Sequence, residues 1–161
     1  MLITINRKKG NQITMLITRD NGSQTWTQVN PNLLPHEIGH YVVEKQLEFK
    51  NAFFGLINSG VDIHEFESHE SRNANPLLQQ LSEEALQTEH IVNLLQIEFL
   101  QQTDPDQLLP ELTDILNIQG ISFPEGLTNQ KLSMIRQEYT QILENLLQSE
   151  EWDKYQFRLT L

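Results

Sequence analysis

Strand-like periodicity is confined to the two ends of this chain, and that placement constrains the fold more than any other feature. At the N-terminus Leu2, Ile3 and Ile5 open one strand and "RKKGNQ" turns the chain. "ITMLITR" forms a second strand, "DNGS" carries a strong hairpin signal, and "QTWTQV" forms a third. At the C-terminus "EWDKYQFRLTL" sets Tyr155, Phe157, Leu159 and Leu161 at alternate positions, which is strand periodicity again. Residues 1–30 are expected to form a β meander, and 152–161 a strand that joins the same antiparallel sheet. The segment between, 35–150, reads as helical. The predicted fold is α+β in a single domain, 1–161, with a small antiparallel sheet packed against about four or five helices.

The helical segments have recognisable starts and stops. Pro35 suits the first turn of a helix running to about Phe49. "NAFFGLINSG" is a short helix closed by Gly60, and Asp62 to Glu65 has the form of a capping box opening a brief turn. "HESRNAN" is a polar loop. Asn75-Pro76 is expected to start a long helix to about Gln102, and Asp104-Pro105 another that restarts at Pro110 and ends near Gly120. In "TNQKLSMIRQEYTQILENLL" the residues Leu132, Ile135, Tyr139, Ile142 and Leu146 make one apolar stripe. The Gln-rich acidic faces of 79–102 and 128–151 read as solvated surface.

Composition removes several functions. With no cysteine, disulfides, thiolate metal sites and cysteine nucleophiles are excluded, so any metal must be held by His, Asp, Glu or backbone oxygen. Asp and Glu number 22 against 11 Lys and Arg, for a net charge of −11. No basic surface is available for phosphate contacts, so no nucleic-acid partner is expected. The apolar runs fall short of a membrane span, and "MLITINRKKGNQ" lacks the apolar region of a signal peptide, so no membrane partner and a cytoplasmic location are expected. There is no nucleophile elbow or Gly-rich phosphate loop.

The chemistry concentrates in "LLPHEIGHYVVEKQLEF", where His36, Glu37 and His40 form H-E-x-x-H. On a helix, residues at i and i+4 share a face, about 6 Å apart along the axis and within reach of one ion. His36, His40, Val43 and Leu47 fall on one stripe, so both rings point inward. Each buried ring must find partners for two nitrogens, and a shared metal satisfies one nitrogen of each. Hydrogen bonds to glutamates would serve as well. Glu44 lies on the same stripe but about 12 Å along the axis from His36, too far to share an ion, and is expected to be a structural partner. On the long helix, Leu81, Ala85, Thr88, Val92, Leu95 and Phe99 mark the buried seam. At 100° per residue His90 points away from that seam, while Glu89 sits at its edge and can turn toward the histidines. His64 is the other candidate third ligand, and His69 is expected to be exposed.

The five-residue motif resembles that of the zincin metallopeptidases. That resemblance implies zinc, with Glu37 as the catalytic base taking a proton from metal-bound water. Pro35 places His36 in the first helical turn, and residues 43 and 46 are Val and Gln, so the metzincin extension is absent. Over about residues 1–95 the chain also resembles a family of small uncharacterised bacterial proteins. The residues carrying this are "DNGSQTW", "LPHEIGHYVVE", "FFGLINSGVDI" and "LQTEHIVNLL", with a shared H-[Asp or Glu]-x-x-H-Tyr-x-Val-Glu stretch. That likeness implies a shared polar site at His36, His40, Glu44 and Glu89, and a position 37 at which a shorter carboxylate also serves. Three functions follow. The chain is a divalent-metal protein, zinc foremost, with His36, His40 and Glu89 as ligands; or a zinc-dependent hydrolase with Glu37 as base; or a metal-free interaction module with the histidines in its core or interface. The partner expected is a small molecule or peptide of unknown identity, and a homo-oligomer stays open.

Overall fold

The structure, a computed structural model, describes residues 1–8, 12–66, 73, 75–147 and 154–161. The N-terminal meander is β1 (Leu2–Lys8), β2 (Gln12–Thr18) and β3 (Gln24–Val29), and the chain returns at its C-terminus as β4 (Lys154–Arg158). All pairs are antiparallel, in the order β3-β2-β1-β4. The two ends of the chain therefore pair side by side, β1 inside the sheet and β4 at its edge. The register follows from alternation: Ile3 lies opposite Ile17 and Phe157, and Ile5 opposite Met15 and Tyr155. This stacks the apolar set on one face, and a slip of one residue would turn it to water. The β2–β3 turn uses the expected "DNGS", with Gly22 at φ +84° and the Arg19 amide donating to the Ser23 carbonyl.

Six α-helices follow among the described residues: α1 (Leu34–Leu47), α2 (Phe53–Ser59), α3 (Pro76–Gln79), α4 (Glu83–Gln101), α5 (Leu108–Gln119) and α6 (Asn129–Leu147). The α+β architecture is as expected, with one helix more than four or five. The continuous helix expected from Asn75 to Gln102 is broken. Gln80 is extended, and Ser82 starts a new helix by accepting from the Ala85 amide while its hydroxyl donates to the Asn51 carbonyl. That tie to the α1–α2 connection fixes where α4 begins, and a helical-wheel reading cannot register it. The expected turn at residues 9–11, most of the expected loop at 69–75 with His69, and residues 152–153 of the expected C-terminal strand lie outside the described residues. Among the described residues no helix is long and apolar enough to cross a membrane.

Helix α1 is the centre of the packing. Its Ile38, Tyr41, Val42 and Val43 are buried in the apolar core that joins sheet and helices, and it touches both α4 and α6. The stripe on α6 (Leu132, Ile135, Tyr139, Ile142 and Leu146) is buried in that same core. Helices α1 and α4 approach closely at Gly39, where an added Cβ would stand 2.7 Å from Val92 Cγ1. Only glycine leaves room for the valine there. Since Val92 is three residues beyond Glu89, and Gly39 three beyond His36, this contact sits one turn from the polar group described next.

Candidate metal centre

Helix α1 starts at Leu34 with Pro35 in its first turn, so His36 projects from the helix end and His40 one turn deeper. Their Nε2 atoms are 3.1 Å apart. Glu89 reaches across from α4, with Oε1 3.4 Å from His40 Nε2 and Oε2 3.6 Å from His36 Nε2. Three donors on one tetrahedral ion, at zinc–ligand lengths of 2.0–2.1 Å, are about 3.3–3.4 Å apart. The two Nε2 atoms, 3.1 Å apart, are close to that spacing; the two glutamate contacts are made by different oxygens, and one ligand atom from each residue places all three within 4.8 Å of one another. Among the described residues, His36, His40 and Glu89 are the group whose ligand atoms converge in this way.

Beneath His40 lies Glu44, fully buried. Its carboxylate accepts from the amides of Phe54 (2.9 Å) and Gly55 (3.1 Å) in the first turn of α2. Ala52 offers no side-chain cap to that helix, so a glutamate from α1 satisfies amides that would otherwise be orphaned. The same carboxylate faces Nδ1 of His40 at 3.5 Å, and among the described residues this buried ring nitrogen has no nearer partner. A carboxylate behind a histidine fixes the ring and its tautomer while leaving Nε2 free to ligate.

These contacts set the charges. Burial opposes charge on His40, but the Glu44 and Glu89 carboxylates outweigh it and the ring is pushed up to about 10. Burial pushes Glu44 upward, while His40 and the two amides pull it back. His36 is lowered by its own burial and by the His40 charge, so it is the neutral member of the pair. Without an ion, the two Nε2 atoms share a hydrogen bond. Glu89 is pulled down by both histidines, against the effect of its partial burial.

Glu37 is not one of the three converging groups, but it faces the same cavity. That cavity, about 180 Å³, is lined by His36, Glu37, His40 and Glu89 with Phe53, Phe66 and other apolar side chains. Burial pushes the Glu37 carboxyl up; His40 opposes this, and Glu89 and Glu44 add to it.

The other candidates lie elsewhere. His64 is exposed on the Ile63–Phe66 turn, its ring edge-on to Trp26 at 6.2 Å. His90 pairs with Gln119 of α5, pointing away from the site as the wheel predicts. Three contributors were not anticipated: Gly39, whose missing Cβ brings α4 close; Phe53, whose ring lies 5.3 Å from that of His40; and Gln96, which interacts with His36. Gln96 sits seven residues beyond Glu89, two turns along the same helix face, and that spacing is a signal the sequence does hold. Neither a family model, nor a curated protein, nor a solved structure matches this chain.

Proposed function

We propose that this chain binds one divalent metal ion through Nε2 of His36, Nε2 of His40 and the carboxylate of Glu89. The observation that carries this reading is the convergence of one ligand atom each from His36, His40 and Glu89 to within 4.8 Å of one another, at the wall of the cavity. The ion we propose is zinc, because two imidazoles and one carboxylate form a donor set that zinc takes readily in tetrahedral geometry. Glu44 would serve as the group that orients His40. The test is elemental analysis and zinc calorimetry on protein purified without a histidine tag. One equivalent of zinc is expected, and Glu89→Ala should weaken it by at least the roughly tenfold to hundredfold that loss of an outer partner costs. Because Glu89 is half-exposed, that variant should keep the fold. Absence of zinc uptake by the unmodified protein would leave the metal-free interaction module as the better reading.

The placement of Glu37 supports a second, nested reading as a metal-dependent hydrolase. Zinc lowers the pKa of a bound water toward 7. Glu37, facing the same cavity with a carboxyl pushed upward by burial, would accept that water's proton and return it to a leaving group. The variant Glu37→Gln should then keep its zinc and lose turnover on a panel of p-nitrophenyl esters and p-nitroanilides. Unchanged turnover would remove Glu37 from any such role.

A further inference from the structure

A second cavity, about 300 Å³, adjoins the first and shares Glu37, Phe53 and Phe66 with it as common walls. Its remaining apolar lining includes Met15, Val29 and Ile63, and Thr27, Gln28 and Asn30 supply polar groups from the end of β3. Leu33, on the turn before α1, lines it while still 53% exposed, an apolar side chain left in water at the opening of an apolar space. Among the described residues, no lysine or arginine lines either cavity. The charged side chains present are Glu37, Glu89 and the two histidines, in a chain of net charge −11.

We infer that the two cavities form one binding site for an uncharged small molecule, its polar head at the His36/His40/Glu89 centre and an aryl or short alkyl group in the second cavity. The inference rests on the metal-binding reading and adds the ligand class to it. Size sets the first condition. An apolar cavity of about 150 Å³ takes up benzene, so about twice that volume holds a phenyl ring with a short tether. Charge sets the second. An anionic tail would meet the Glu37 carboxylate in a pocket without a cation, and would be desolvated without compensation. A neutral tail loses nothing on entering, and burying a phenyl group there should tighten binding about tenfold or more. Glu37 stands between the two spaces, where its carboxylate can accept a hydrogen bond from a donor joining head to tail.

The probes are hydroxamic acids, whose head groups bind zinc, measured by calorimetry on the zinc-loaded full chain. Acetohydroxamic acid has a head and no tail. Phenylacetyl, 3-phenylpropanoyl and 4-phenylbutanoyl hydroxamic acids carry the ring on tethers of one to three carbons. The best of these should bind at least tenfold more tightly than acetohydroxamic acid, and a para-carboxylate on its ring should abolish the gain. In Leu33→Asp, which places a charge at the opening and leaves the metal donors untouched, the aryl gain should disappear while acetohydroxamic acid binds as before. Equal affinity for all four compounds, an aryl gain that survives the para-carboxylate or Leu33→Asp, or failure of every hydroxamate on protein that holds its zinc would overturn the inference and leave the metal centre standing. Failure to take up zinc at all would remove both.

Discussion

Gly39→Ala tests whether the spacing of α1 and α4 is what brings the metal donors together. The new Cβ would stand 2.7 Å from Val92 Cγ1 and 3.3 Å from Cγ2. Non-bonded carbons rest about 3.5–4.0 Å apart, so α4 must retreat by roughly 1 Å. Rotating Val92 gives little relief, because its second methyl is also close and its χ1 is stiff in a helix. Overpacking of this kind costs about 1–3 kcal/mol, and alanine recovers about 1 kcal/mol in helix propensity, leaving a net loss of about 0–2 kcal/mol. The protein should therefore stay folded. The larger effect falls on Glu89, one turn from Val92, whose distances of 3.4 and 3.6 Å to the two histidines would lengthen with the helix. Metal sites tolerate about 0.2 Å of error in ligand distance, so zinc affinity should fall on the order of tenfold to a hundredfold. Competition with a chromogenic chelator measures the affinity and thermal denaturation measures the fold. The double variant with Val92→Ala, which makes room for the methyl, should recover much of the binding. A folded Gly39→Ala protein with undiminished zinc affinity would refute the idea that this contact sets the site.

Two further predictions concern Glu44 and His40. Glu44→Ala removes the partner of buried His40 and orphans the Phe54 and Gly55 amides, so it should cost about 3–5 kcal/mol and lower Tm by roughly 10 °C or more; a Tm within 2 °C of the parent protein would contradict the role given to Glu44. His40 has a folded-state pKa raised to about 10, so without metal its contribution to stability is fully present below about pH 6.5 and is lost as pH rises through about 10. Zinc binding runs the other way, because the ion displaces that proton: between about pH 6.5 and 8.5 affinity should rise about tenfold per pH unit, and calorimetry in buffers of different ionisation enthalpy should read about one proton released. Affinity independent of pH over that range would exclude His40 as the protonated ligand.

Much of the site was legible because helical geometry is local arithmetic. The four-residue spacing of His36 and His40 sets them on one face, and 100° steps from the Ala85–Val92–Leu95 seam place Glu89 at the edge of α4 and His90 away from it. Those steps need no knowledge of the partner helix. The terminal strands were legible for a similar reason, since alternation at Tyr155 and Phe157 demands a sheet and the N-terminal meander offers the apolar face to complete it. Long-range contacts gave no such signal. The break before Ser82 depends on a hydrogen bond to Asn51, and the capping of α2 on Glu44 reaching back from α1. The fit of Gly39 to Val92 depends on how two helices happen to cross. Nothing in the local pattern of these residues encodes the partner that each one meets.

The most direct test is a crystal of the zinc-soaked protein, with anomalous diffraction recorded on both sides of the zinc absorption edge. A single peak about 2.0–2.2 Å from Nε2 of His36, Nε2 of His40 and a carboxylate oxygen of Glu89 is the predicted result. A zinc-saturated crystal with no anomalous peak there, and with the His36–His40 hydrogen bond still closed, would contradict the metal centre itself.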